Sequence, residues 1–236
     1  MPRMAKNLPV LILIGCVLLT GCSAWRSWRG TDRPENVSFS LGGMRISKAI
    51  KPISDIRREN VIFQAGDFSC GSAAVATIMK YYFGDDLDEQ SVIDGIIQLS
   101  NVKRLEKIIK RKGLSLLDLK RFAVSRGYDA KGYLMGLDDL MELEVPAIVP
   151  VVVQGYDHFV VFRGATRDRI LIADPSVGNM CMRAHNFLPI WKGNVVFVIS
   201  NGKVPEQAPL MIDEEDMLFL ESHFVMRAMR NAVLSY

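Results

Sequence analysis

The sequence predicts an α+β fold, on three observations. Helical periodicity and helix caps concentrate in its first half. Apolar runs rich in valine and isoleucine concentrate in its second half. Those runs follow one another through short connections, so hairpins and not helical crossovers join them. With 236 residues, 49% apolar and 23% charged, the chain has the size and composition of one compact domain with extensions. A net charge of +3 is too small to point to nucleic acid as a partner. No glycine loop of the type GxxxxGK followed by Ser or Thr is present, so an ATP-driven step would need another chain.

The N-terminus reads as a targeting segment. Arg3 and Lys6 form a basic start, and Leu8 to Leu19 is an apolar run too short for a comfortable membrane span. It closes with Leu19-Thr20-Gly21-Cys22, which resembles the bacterial lipobox. Residues 1–21 are therefore read as a lipoprotein signal peptide and Cys22 as the lipidated anchor, with an ordinary signal as the alternative. Ser23 resembles the sorting signal for the outer membrane. The expected location is the periplasmic side of a bacterial membrane, the outer one, held at Cys22. Residues 22–45, polar and punctuated by Gly and Pro, read as a tether in which Gly42-Gly43 is a flexible turn.

Of four cysteines, one lies in the signal and one is the anchor, which leaves Cys70 and Cys181. An oxidising compartment permits a disulfide between them. Two cysteines do not make a tetrahedral zinc site without two more ligands, and no CxxC or HxxxH spacing supplies them. No metal and no other cofactor is expected.

The domain is read as residues 46–202. Val61-Ile62-Phe63 leads into Cys70, and Gly71 to Phe83 is a breaker-free run of small and apolar residues ending at Gly84. This predicts a buried helix starting at Ser69 or Cys70. Glu89–Leu99 and Lys103–Arg111 are amphipathic, and Ser115 caps a further helix with Gly127 after its end. Tyr128–Leu134, Pro146–Val153, His158–Arg163, Arg169–Ala173 and Asn194–Ile199 then read as strands, with a loop over residues 164–168. Residues 203–236 read as a linker and a C-terminal amphipathic helix, acidic at its start and with Arg227 and Arg230 at its end, as the helix macrodipole favours.

Cys70 is the residue with the most chemistry to offer. A thiol at a helix N-terminus meets unpaired N–H groups whose partial charge favours the thiolate. Gly71 would let a substrate carbonyl approach the backbone, and the Cys70 N–H can aim at a developing oxyanion. The bland reading is a buried small hydrophobe. A base is needed, and of three histidines His158 stands at a strand start, whereas His185 in a polar turn region and His223 in the tail helix read as surface residues. A symmetric hairpin centred near Thr166 places His158 opposite Asp174, where a carboxylate would orient the ring. Asp174-Pro175 starting a plain turn is the alternative. Gln64, six residues before Cys70, can supply a second oxyanion donor.

Gln64, then Cys70-Gly71-x-Ala73, then Tyr156-Asp157-His158-Phe159-Val160-Val161, then Ala173-Asp174-Pro175 together resemble the bacteriocin-processing, double-glycine peptidase family of papain-like cysteine peptidases. The resemblance covers about residues 60–200. It implies Cys70 as nucleophile, His158 as general base, Asp174 as its orienting partner and Gln64 in the oxyanion hole. Ser69 stands where many members have Asp. Many members precede a transporter and cut leaders after Gly-Gly. This chain resembles the stand-alone periplasmic branch, which includes the protease of bacterial functional-amyloid secretion systems. The resemblance implies a peptide or protein substrate and an outer-membrane secretion partner. A non-catalytic peptide-binding module on the same fold is the alternative, and a peptide ligase or amidase a third reading.

Overall fold

The computed structural model describes residues 36–41, 44–49, 51–99, 113–212 and 216. The expected signal peptide, the Cys22 anchor, Gly42-Gly43, the amphipathic stretch 103–111 and nearly all of the C-terminal helix with His223 lie outside those residues.

Two compact units divide at Lys51/Pro52. In the first, strands β1 (Asn36–Leu41) and β2 (Met44–Ala49) pair antiparallel, with Leu41 opposite Met44. The expected tether thus carries a β-ribbon over most of its second half. Its signal is the alternation Val37, Phe39, Leu41 against Ser38, Ser40.

The second unit places helices before a sheet, as an α+β chain does. Helix α1 (Ile53–Arg58) precedes α2 (Cys70–Tyr81), α3 (Glu89–Leu99) and α4 (Leu116–Ser125). Then come β3 (Asp129–Leu134), the short α5 (Leu137–Met141), β4 (Ala147–Val153), β5 (Tyr156–Thr166), β6 (Arg169–Asp174), β7 (Gly178–Arg183), α6 (Ala184–Phe187) and β8 (Val195–Ser200). The sheet has six strands in the order β3-β8-β4-β5-β6-β7, and every pairing is antiparallel. Strands β4 to β7 form a meander, and β8 inserts between β3 and β4. Each local rule is visible in the elements. Ser115 and Asp118 cap α4 reciprocally, and Gly127 follows its end with φ +87°.

Both faces of the sheet are covered. On one, Ile148, Val161, Ala173 and Phe197 meet Val75, Ile78 and Met79 of α2. On the other, Val149, Val160, Phe162 and Ile172 meet Leu140, Phe187 and Trp191. Burying an Ile, Met or Phe side chain in such a core contributes about 1.5–3 kcal/mol. Helix α2 is buried from Cys70 through Met79, and its alanines let it lie close to β5. Gly71 serves that packing: a side chain there would sit 3.2 Å from Phe159 and 3.3 Å from Leu119. It faces the core, so the role of opening a path for substrate does not hold.

Three further differences from the sequence reading have physical causes. β5 runs on to Thr166, so only Arg167-Asp168 turn where a five-residue loop was expected. β7, Gly-Asn-Met-Cys-Met-Arg, was not anticipated because it lacks β-branched residues and alternation. Residues 208–212, expected as linker, dock on the domain: Leu210 is fully buried and its N–H donates to the Tyr81 carbonyl at the end of α2. Among the described residues no helix is long and apolar enough to cross a membrane.

Gly178 shows how tightly β7 meets α1. It has φ +89°, and an added Cβ would lie 2.1 Å from the Arg57 carbonyl oxygen. Gly178→Ala is expected to cost about 3 kcal/mol or more, from strain and backbone displacement together, read as a lowered denaturation midpoint.

Candidate active site

Cys70 opens α2 after a tight turn. Ser69 closes that turn by donating its hydroxyl to the Gly66 carbonyl at 2.9 Å and accepting the Gly66 N–H at 3.1 Å. The Ser69 backbone, at φ −104° and ψ 10°, passes directly into the helix. Cys70 is therefore a first-turn residue, and its N–H has no intrahelical acceptor. Its side chain is 8% exposed.

His158 and Asp174 meet across β5 and β6. His158 Nε2 and Asp174 Oδ1 are 2.9 Å apart. They are not directly opposite, as the symmetric hairpin predicted. The pair Val161↔Ala173 sets Asp174 level with Val160, two residues from His158 along the same face, so the contact is diagonal. A β-bulge decides this. From the turn, Thr166 pairs with Arg169 and Gly164 with Leu171, but Phe162 pairs with Ile172, which leaves Arg163 as an extra residue. Were there no bulge and Arg163 paired with Ile172, the turn's register would place Asp174 level with Val161. His158 would then stand three residues away, on the opposite face.

The electrostatics suit an ion pair. Burial pushes the His158 imidazole toward its neutral form. Hydrogen bonds to Asp174 and to Cys70, with the charges of both, outweigh this and raise its pKa from 6.5 to about 9. Burial likewise opposes the Asp174 carboxylate, yet His158 and the Ser176 amide hold its pKa below the ordinary value. Ser176 N–H donates to Asp174 Oδ1 at 2.7 Å, an Asx turn across Pro175. With Nε2 taken by Asp174, Nδ1 is the ring nitrogen left for Cys70.

Gln64 lies beside this pair. Its backbone N–H donates to the Pro175 carbonyl at 2.9 Å. Its side-chain oxygen accepts from Ser176 Oγ at 3.1 Å, and Nε2 donates to the Gly66 carbonyl at 2.9 Å. An amide nitrogen has two hydrogens, so one N–H remains to give. Two residues that sequence reasoning missed hold this corner. Glu89, buried in the first turn of α3, accepts the Ala65 N–H through both carboxylate oxygens at 2.9 and 3.1 Å. Ser176 touches Gln64, His158 and Asp174; its place two residues after Asp174 in an Asp-Pro turn was the available signal.

Cys181 stands apart on β7, beside Arg169 Nη1 at 3.8 Å, and burial raises the pKa of its thiol. Cys70 and Cys181 are both free thiols, so the disulfide left open by the sequence is not formed. His185 is exposed on α6 and takes no part.

Comparison with protein families matches residues 58–203 to the Peptidase C39 family. Among curated proteins, the chain is 37% identical over 187 residues to the Probable functional amyloid protease FapD of Pseudomonas fluorescens, across 79% of each chain. The protein of the same name from Pseudomonas aeruginosa is 36% identical over 161 residues, 68% of this chain and 70% of that one. Among solved structures, a double glycine motif protease from an AMS/PCAT transporter, in complex with the leader peptide, shares 25% identity. That match covers 61% of this chain and 94% of the other, at a TM-score of 0.48.

Proposed function

Since the chain belongs to the Peptidase C39 family, and so is a cysteine peptidase, we propose that Cys70 is its nucleophile, His158 its acid–base and Asp174 the carboxylate orienting the imidazole. The observation that carries the assignment is the His158–Asp174 pair at 2.9 Å, whose imidazole also interacts with the thiol at a helix start. The Cys70 thiolate attacks the peptide carbonyl carbon, forming a C–S bond and an oxyanion. The Cys70 N–H and the remaining Gln64 N–H stabilise that charge. The oxyanion collapses, the C–N bond breaks, and imidazolium gives its proton to the leaving amine. Water then attacks the thioester, passes a proton to His158, and releases the acid and the thiolate.

The substrate is an exported peptide or protein cut after small residues such as Gly-Gly, within a functional-amyloid export system. The likeness to two functional amyloid proteases supports this. Its place is the periplasmic side of the outer membrane, anchored at Cys22, a reading supported by Leu19-Thr20-Gly21-Cys22 followed by Ser23. An outer-membrane secretion pore is the corresponding partner.

The test is incubation of the purified chain with the exported amyloid subunit and with peptides carrying Gly-Gly or bulky residues at the cut. Mass spectrometry locates the products. Cleavage after small residues, abolished in Cys70→Ala, is the expected result; cleavage that survives Cys70→Ala sinks the assignment. Mass analysis of the membrane-extracted chain reads the anchor, with a lipidated Cys22 N-terminus expected.

A further inference from the structure

Ser176 is exposed and 112 residues from Gln64 in sequence, yet one hydroxyl joins the two halves of the site. It donates to Gln64 Oε1 at 3.1 Å and lies 3.3 Å from His158 Nε2. A hydroxyl has one proton. Spent on Gln64, it leaves only lone pairs toward His158, whose own Nε2 proton goes to Asp174 at 2.9 Å. Ser176 is thus a donor to Gln64 and no more than a secondary acceptor for His158.

The same proton sets the orientation of the amide. The Gly66 carbonyl accepts only, so Gln64 must face it with nitrogen, at 2.9 Å. The Ser176 hydroxyl takes the amide oxygen from the other side. With both in place the amide cannot turn over, and the second N–H of Gln64 points in one direction.

We propose that Ser176 is a positioning residue that acts through Gln64, holding its side-chain amide so that the free N–H meets the developing oxyanion. The proposal rests on the peptidase reading given above. Ser176 does not act through the thiolate–imidazolium pair. Loss of its hydroxyl removes a minor side-chain contact with the Asp174 carboxylate but leaves the Ser176 N–H bond to Asp174 intact, because that bond is backbone.

Two reactions of Cys70 separate these roles. Acylation by the p-nitrophenyl ester of an N-blocked glycine passes through an oxyanion. Alkylation by iodoacetamide displaces iodide at a saturated carbon and forms none. Both are measured on the full chain as wild type, Ser176→Ala, Ser176→Thr, Gln64→Ala and the Ser176→Ala/Gln64→Ala double variant. Peptide mapping isolates the Cys70 alkylation. Ser176→Ala is expected to slow acylation about tenfold and Gln64→Ala about a hundredfold, in the range seen for lost oxyanion donors. The double variant is expected to be no slower than Gln64→Ala, Ser176→Thr to recover most of the rate, and alkylation to stay unchanged throughout. Independent losses in the double variant would overturn the proposal, as would a matching loss of alkylation in Ser176→Ala. A wild type that acylates no faster than Cys70→Ala overturns the peptidase reading itself.

Discussion

Turnover by the wild-type chain is expected to fall on its alkaline side with a midpoint near pH 9, where the His158 imidazolium loses its proton. Asp174→Ala is expected to pull that midpoint down by at least about one pH unit and to lower the plateau by a hundredfold or more. The sign follows from the opposing causes. Burial alone drives His158 toward neutrality, and the hydrogen bonds and charges of Asp174 and Cys70 reverse it. Removing the carboxylate leaves burial opposed only by Cys70. Ester hydrolysis, corrected for the spontaneous rate, gives both profiles; an alkaline limb unmoved by Asp174→Ala would refute the pairing.

The same pair makes stability depend on pH. His158 binds its proton more tightly folded than unfolded, so its contribution is complete below about pH 6.5 and is lost as pH rises through about 9. Asp174 has the opposite sign, with a contribution present above its ordinary value of 3.8 and lost as pH falls below it. Urea unfolding at about pH 6 and about pH 10 is expected to differ by on the order of 2 kcal/mol from His158, and by much less in His158→Phe.

Arg163→Met is expected to destabilise the fold by about 3–5 kcal/mol, the usual cost of removing one member of a buried ion pair. Arg163 is 7% exposed, and all its donors are used, most of them on the docked segment around residues 208–212, here the strap. Nε donates to the Leu210 carbonyl at 2.9 Å and Nη2 to the Met211 carbonyl at 3.0 Å. Nη1 and Nη2 grip both Asp216 oxygens at 2.9 and 2.7 Å, and Nη1 also reaches Asn179 Oδ1 at 3.3 Å. Beside it Gly164, at φ +152°, leaves room for Ile212, whose Cδ1 would lie 2.6 Å from an added Cβ. Removing the guanidinium takes its donors from two carbonyls and its charge from beside the Asp216 carboxylate. Arg163→Met with Asp216→Leu is expected to recover part of the loss, since the carboxylate goes but the carbonyls remain. Urea midpoints check both.

Arg163 is also the extra residue of the bulge, so the strap and the active pair meet at one point of β5. Deleting residue 163 would take out the bulge and leave Asp174 level with Val160, so His158 would keep its face while the domain loses the Arg163 contacts.

The elements whose determinants are local could be read without coordinates. Ser115, Asp118 and Gly127 bracket α4 because capping acts within a few residues. Five of the six sheet strands were visible, four of them because their runs of Val, Ile, Leu or Phe carry the pattern themselves. β7 was not, since its pairing with β6 and the contact of Gly178 with Arg57, and not its own composition, make it a strand. The β1–β2 ribbon was legible in alternation but hidden by the Gly and Pro around it.

The site divides along the same line. The sequence by itself determined which groups are available: a thiol at the start of a buried helix, an imidazole at a strand start, a carboxylate before a proline, and a family of cysteine peptidases that carries this set. Only the tertiary structure decided how they meet. One bulge residue sets the face on which His158 finds Asp174, and Ser176, Glu89 and the Arg163 strap close contacts between segments far apart in the chain. Register and long-range hydrogen bonds are properties of pairs of segments. A one-residue slip reverses every side chain of a strand while leaving its composition unchanged, so no single stretch of sequence can record it.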